Sequence, residues 1–400
     1  MISFRFQIVL LLLAIVGASV FVWGLLGSES GRAWQSFFIN LLFFSAIAQS
    51  GSVLAAIYHL TEARWGSRVM SLAIGLGSFL PISFVLFIVL FAGFPYLPNY
   101  SPEFPARHSW FKPWFLIGRE ILALAILYAV SLVFSYRFLI STIARFANDS
   151  REIRGSTDTE GEVPYQSIAN GRSPTITPLA ILVLAAYAVV FSLLGFDLVM
   201  GLDKQWYSTL FGGYFFISSF YIGLAAIIVA VFLVGRHWKG EAQAHGDVRS
   251  DLGKLALAFC LLTTYLFWSQ YLVTWYGNLP EEVGFFIRRF RDPSWQWLTW
   301  VTVVLTFAIP FLTLLSQHTK RNGALFFVAI TALAGMWLER YMLIVPSLGL
   351  TAAPALGWVE VAITSSFLAG IIFTYTVYLN FYDGLKSQSE LRALQAAKAH

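Results

Sequence analysis

PLAILVLAAYAVVFSLLGFDLVMGLDKQWYSTLFGGYFFISSFYIGLAAIIVAVFLVGR, residues 178–236, decides the fold. Two apolar runs, 178–199 and 210–234, flank a short polar link that holds Asp203 and Lys204. The first run is broken only by Asp197; the second carries no charge. Each is close to the roughly 20 residues that carry a helix across the hydrocarbon of a bilayer. Backbone groups in lipid must pair within their own segment, which makes the runs helices. A membrane β-barrel would show short alternating segments instead, and these runs do not alternate. Working outward, eight further runs of the same kind lie at 6–26, 37–58, 69–91, 115–136, 252–275, 296–315, 323–345 and 358–379. The chain reads as an all-α polytopic membrane protein of about ten transmembrane helices.

Composition agrees. Hydrophobic residues make up 58% of the chain and charged residues 12%, about half the charged share of a soluble domain. The net charge of +5 is small for 400 residues and falls mostly in loops, so it is a topology signal and not a nucleic-acid footprint. Cys260 is the single cysteine. Iron–sulfur clusters, cysteine zinc sites and c-type haem attachment need several at set spacings. Of the six His only His59 lies near a span, so a haem held by two His within the bilayer is excluded. We expect no redox metal. The first run is too long for a signal-peptide core and ends without a cleavage box, so it is expected to stay as a helix.

Lys and Arg set the orientation. The side that holds both termini carries more than twice as many as the other, which predicts that both termini are cytoplasmic. The long inner loop 137–177 is polar and expected to be mobile. Outer loops 92–114 and 276–294 are rich in Pro and aromatics, among them Pro95, Pro98, Pro102, Pro105, Trp110, Pro280, Phe285 and Phe286. They suit either a docking face or an interfacial belt. The tail 384–400 reads as a short amphipathic helix on the inner surface.

An internal echo runs through the chain. Trp34, Ser36, Phe43, Phe44 and Gly51 recur in the same spacing as Trp206, Ser208, Phe215, Phe216 and Gly223. Leu97-Pro98 is echoed by Leu279-Pro280, and Phe196-Asp197 with Met200 by Leu338-Glu339 with Met342. Four helices per repeat keep the units parallel. The expected division is 1–36, first helix and outer loop; 37–199, first four-helix bundle; 200–345, second four-helix bundle; 346–400, last helix and tail.

Charges inside a bilayer cost roughly 2.5–3.5 kcal/mol each even on the lenient scale, so they mark function or tight pairing. Arg119, Glu120, Asp197, Asp203, Gln270, Glu339, Arg340 and Glu360 all fall in the outer third of their spans. Neighbours on a helix diverge by about 100°, so each member of Arg119-Glu120 and Glu339-Arg340 is expected to find a partner on another helix, such as Glu120 with Arg340. Asp197 and Glu360 have no basic residue nearby in sequence. A buried carboxyl without a cation tends to hold its proton, as a relay requires. Glu120, Asp197, Glu339 and Glu360 are therefore the outer proton-pathway candidates. His59, Asp251 and Lys254 are the inner ones, although the last two, a turn apart, also suit a plain surface pair. Gln49, Tyr187, Tyr221 and Tyr265 could bridge the two levels. Gln49, beside Ser50, Gly51 and Ser52, suits close packing or a ligand contact equally.

Three stretches carry a resemblance: FFSAIAQSGSVLAAIYHLTEARWG (43–66), GFDLVMGLDKQWYSTLFGGYFF (195–216) and SQYLVTWYGNLPEEVGFF (269–286). They resemble the smaller NrfD-like (polysulfide-reductase-like) membrane subunit of bacterial alternative complex III, of the ActF type. The resemblance implies a subunit of a quinol:electron-acceptor (cytochrome c) oxidoreductase, with two four-helix bundles and flanking helices. It implies partners: a sister NrfD-like subunit, an iron–sulfur protein, c-type cytochromes and, as a further candidate, a terminal oxidase. Haem c and iron–sulfur clusters would belong to those partners; quinone or lipid is all this subunit would bind. The sister subunit has a His in the helix-2 motif where Gln49 stands here. Gln can hydrogen-bond a quinone carbonyl but cannot take a proton near neutral pH. The resemblance thus implies an accessory, proton-conducting subunit with a degenerate quinone pocket at Gln49, Asp197, Trp206, Gln270 and Arg340. Two other readings stay open: a secondary transporter, whose broken helices should match between halves although Pro81 and Pro310 do not, and a structural scaffold.

Overall fold

The structure is a computed structural model that describes residues 2–27, 30–63, 66–93, 110–155, 176–203, 205–235, 242–351 and 353–398. Every element among them is helical. Ten stretches are long and apolar enough to cross a membrane. They are α1 (Phe4–Leu26); α2 (Ser30–Leu60); α3 (Ser67–Gly75) joined through a 3-10 turn to α4 (Leu80–Ala92); α5 (Pro113–Gly155); α6 (Thr177–Leu194); α7 (Phe211–Val234); α8 (Ala242–Gly277); α10 (Pro293–Val303) continued by α11 (Ile309–Leu314); α13 (Ala324–Leu348); and α14 (Trp358–Lys398). The short α9 (Pro280–Phe290) and α12 (Gln317–Arg321) connect spans. The chain is a multi-pass membrane protein.

The ten expected runs each fall on one of these spans. Among the helix starts at the outer end, α2 departs most, beginning at Ser30 and not near 37. Hydropathy missed that turn because Trp34, Gln35 and Ser36 look too polar for lipid. They meet protein instead, since all three are buried. Three other expectations need correction. The inner loop 137–177 is helical as far as Gly155, the end of α5; residues 156–175 lie outside the described residues. The tail is not a separate surface helix: α14 runs unbroken from Trp358 to Lys398. Its sequence from Leu385 onward is dominated by Ala, Leu, Gln, Lys and Arg, good helix formers with no stop signal. Within 276–294 lies α9, with Pro280 at its start, Glu281 and Glu282 in its first turn and Arg288 and Arg289 in its last, each suited to its end of the helix. The prolines at 95, 98, 102 and 105 are outside the described residues, as are Leu97 and Lys204.

Packing centres on α2, the most buried span. It touches α1, α3, α4, α5, α6, α7, α13 and α14. Small residues permit this. A Cβ at Gly51 would collide with the carbonyl of Ala73 on α3, and one at Gly223 of α7 with the side chain of Ser50. Without a hydrophobic drive between helices in lipid, such close backbone approach is what holds spans together. α7 also packs on α8 and α13, α6 on α5, and α1 runs along α14. The chain start lies beside the far part of α14, where Ile2 N donates to Asn380 Oδ1 at 2.8 Å. We call this the inner end and the opposite one the outer end.

Candidate functional site

The fifth span loses its α geometry near the outer end. After Leu194 the chain takes a π turn, Gly195–Val199, then a 3-10 turn, Met200–Leu202. Such bulges re-aim side chains and are frequent at functional sites. This one carries Asp197, 1% exposed. Its Oδ2 accepts from Arg119 Nη2 (2.5 Å) and Nε (3.1 Å), and its Oδ1 from the Trp110 indole (2.8 Å). The guanidinium lies over the Trp110 ring, 3.9 Å from its centroid. Glu120, fully buried, has its Oε1 3.7 Å from Arg119 Nε and Asp197 as a charged neighbour. Neither Glu120 oxygen has a hydrogen-bond partner among the described residues. Two acids thus share one cation.

A second polar group sits between α13 and α7. Arg340, 0% exposed, donates Nη1 to both Glu339 oxygens (3.2 and 3.0 Å) and Nη2 to Ser218 Oγ and Ser219 Oγ (2.9 Å each). Tyr214 Oη donates to Glu339 Oε1. The guanidinium lies over Phe215, 4.2 Å from the ring centroid. The expected cross-pair of Glu120 with Arg340 therefore does not form. The 100° argument fails here because both side chains are long enough to bend toward α7 and meet each other. Asp197 and Glu360, with no basic residue nearby in sequence, each acquire a cation in the fold. Asp197 has Arg119, and Glu360 is gripped by Arg32 Nε (3.2 Å) and Nη2 (3.0 Å) and by Gly357 N (2.8 Å). Both cations come from other helices, where sequence proximity cannot point.

Beside these groups, Asp203 Oδ1 accepts from the backbone of Gln205 and Trp206, and Arg288 lies 3.8 Å from its Oδ2. Trp206 stacks on Phe285, with centroids 3.9 Å apart, and the Arg289 guanidinium lies over the Phe285 ring, 3.5 Å from its centroid. Arg289 is buried between spans; burial pushes its guanidinium below its ordinary range, with Asp203 acting against that shift. Its Nε donates to Met342 O (2.8 Å), its Nη2 to Leu343 O (3.1 Å) and Ser347 Oγ (2.7 Å). Met342 O needs it, because the residue four ahead is Pro346, which has no N–H. Gln270 is buried and donates to Leu266 O of its own helix.

At mid-depth, hydroxyls line the contacts among α2, α4 and α5. Ser45 Oγ and Ser83 Oγ are 2.6 Å apart, and Ser83 meets Tyr128 Oη at 3.0 Å. Gln49 Nε2 donates to Ser131 Oγ (2.8 Å), while its buried Oε1 has no partner among the described residues. Ser52 and Ser135 follow at 3.1 Å. Nearer the inner end His59 Nε2 meets Thr177 Oγ1 at 3.1 Å. Asp251 and Lys254 form an exposed pair at 2.8 Å on α8. Of the expected bridging tyrosines, Tyr187 donates to Phe216 O. Tyr221 donates to Thr306 O at 3.4 Å, a carbonyl left free because Pro310 stands four residues ahead. Tyr265 faces outward, 64% exposed.

Sequence reasoning found the acids but missed Trp110, Arg32, Tyr214 and the serines of α5. The spacing Tyr128, Ser131, Ser135 was a usable signal, since it places three hydroxyls on one helix face.

No group of His, Cys, Asp or Glu among the described residues could hold a metal ion. The fold and site thus define a class: a polytopic helical membrane protein whose polar groups are buried at helix contacts. The chain belongs to the NrfD, polysulphide reductase, family, whose profile matches residues 24–352. A search of curated proteins finds no match.

Proposed function

We propose that the chain is the smaller, ActF-type NrfD-like membrane subunit of an alternative complex III, a quinol:electron-acceptor oxidoreductase of the bacterial cell membrane, and that it carries protons and does not itself oxidise quinol. The inner end is then cytoplasmic, with both termini there. Residues 37–199 and 200–345 act as two parallel four-helix units. The partners are a sister NrfD-like subunit, an iron–sulfur protein and c-type cytochromes.

One observation carries the reading: Glu120 is wholly buried, has no hydrogen-bond partner among the described residues although Arg119 lies 3.7 Å away, and stands above the hydroxyls of α2, α4 and α5. An acid in that place can take and release a proton. Below it Tyr128, Ser83 and Ser45, then Gln49 and Ser131, then Ser52 and Ser135 lead toward His59. Glu120 and Tyr128 are two helical turns apart, roughly 12 Å, with apolar Leu124 between them on the same face, so water must complete that step. Quinol oxidation needs a base within reach of the hydroxyl. Gln49 is none, and both oxygens of Asp197 are committed.

The test uses the purified complex in sealed vesicles. Glu120→Gln is expected to leave assembly, haem content and quinol turnover largely intact while lowering protons moved per electron. Unchanged proton movement would sink the conduit and leave the scaffold reading. That second reading draws on the pairing of Asp197, Glu339 and Glu360 with arginines. Recovery of the native chain free of haem and iron–sulfur proteins would overturn the assignment to the complex.

A further inference from the structure

At the inner end of α8 two cations have no anion paired with them among the described residues. Lys320 on α12 is only 5% exposed. Its stem lies across Gly253 of α8, where a Cβ would come within 2.9 Å of Lys320 Cγ. Among the described residues no carboxylate or hydrogen-bond acceptor pairs with its ammonium. Arg249 precedes Gly253 by one helical turn and so shares its face. The Arg249 guanidinium lies 4.5 Å over the Phe232 ring of α7. Its Nε is buried without a hydrogen-bond partner among the described residues. Phe232 in turn packs on Phe326 of α13, with centroids 5.8 Å apart. The edge between α8 and α12 is closed by Ser250 Oγ and Gln317 Oε1, 3.5 Å apart. The adjacent acid, Asp251, is already paired with Lys254.

A buried guanidinium N–H without an acceptor is costly; the Lys320 stem is buried while its ammonium reaches the surface. That cost falls if an anion with several acceptor oxygens meets the Arg249 guanidinium and draws in the Lys320 ammonium from the neighbouring helix. Phosphate fits that need, because it accepts several charge-assisted bonds at once. The floor of the site is aromatic and lies at the end of a span, where acyl chains begin. We propose that Arg249 and Lys320, over the Phe232–Phe326 shelf, form a phosphate-binding site that holds the headgroup of an anionic phospholipid from the inner leaflet. This inference does not rest on the redox reading; it needs only the spans and their depths.

The full chain in mild detergent is titrated with short-chain phosphatidylglycerol, short-chain phosphatidylcholine and inorganic phosphate, and followed by thermal unfolding and native mass spectrometry. Phosphatidylglycerol is expected to raise the midpoint and stay bound while phosphatidylcholine does neither. Arg249→Gln and Lys320→Gln should each weaken the effect by roughly fivefold, the share of one cation at a lipid surface. Lys320→Arg should retain it, and Lys254→Gln should leave it unchanged. A full effect from inorganic phosphate would keep the site and assign its ligand to a soluble anion. Equal response to the two lipids with none to phosphate, or a response indifferent to Arg249→Gln, would overturn the proposal. Arg249 is half-buried, and only variants that unfold cooperatively without added lipid enter the comparison, so the Arg249→Gln arm stands even if Lys320→Gln does not fold.

Discussion

The arginine–carboxylate pairs near the outer end should not weigh alike. Arg119 and Asp197 are 14% and 1% exposed at their side chains, whereas Arg32 retains 28%. Removing one partner of a buried pair strands the other charge and costs about 3–5 kcal/mol. Arg119→Leu strands two acids, Asp197 and Glu120, and should fall at the top of that range. Adding Asp197→Asn should recover much of the loss, which thermal unfolding of the two variants would reveal as strong non-additivity. Arg32 is partly exposed, and Arg32→Gln leaves Glu360 buried but still bonded to Gly357 N, so a smaller loss, about 1–3 kcal/mol, is expected from the same measurement. The acids were legible because a charge in an apolar run stands out. Their partners were not. Arg32 and Glu360 are on different helices, far apart in the chain, and no local rule joins them. Trp110 was visible as an interfacial aromatic, but nothing in its surroundings announced a hydrogen bond to Asp197.

At the level of the element, two prolines open gaps in helices and other residues fill them. Pro346 removes the donor for Met342 O, and Arg289 supplies one from α9. Leaving such a carbonyl bare in a dry place costs about 1–3 kcal/mol per group. Arg289→Met should therefore destabilise the protein by at least that much, since Leu343 O loses its donor as well. Pro346→Ala restores an N–H to the helix and should reduce the penalty of Arg289→Met. If the double variant unfolds no later than Arg289→Met alone, the gap is not what Arg289 serves. Hydropathy made the spans readable because lipid imposes one length on all of them. It misplaced the start of α2, where protein stands in for lipid. It also could not foresee that α5 and α14 would continue past the membrane, because the helix propensity that extends them acts where apolar periodicity has ended.

For the molecule as a whole, burial falls off from α2 outward to α1, and the echoed glycines sit where α2 meets its neighbours. Gly51→Ala would drive a methyl into the Ala73 carbonyl, which cannot rotate away. Overpacking of that kind costs about 1–3 kcal/mol. Gly213→Ala on α7 meets nothing within 4 Å and should be neutral or stabilising, by up to about 1 kcal/mol of helix propensity. Comparing the unfolding midpoints of the two variants checks that α2 is the close-packed centre.

Every depth assigned to the polar groups depends on which end faces the cytoplasm, and the chain offers a direct way to find out. Its single cysteine, Cys260, is 1% exposed, so an introduced thiol would report with little background. Ser387 lies on the inner part of α14 and Glu281 at the start of α9 on the outer end, both exposed. The excess of Lys and Arg at the inner end argues that it was never carried across the membrane. A membrane-impermeant thiol reagent should therefore label Glu281→Cys in intact spheroplasts and Ser387→Cys only after lysis. The reverse pattern would put Glu120 and Asp197 on the cytoplasmic side. The proposed path would then run from His59 on the far side, and an outer-face electron acceptor could no longer sit above the buried acids.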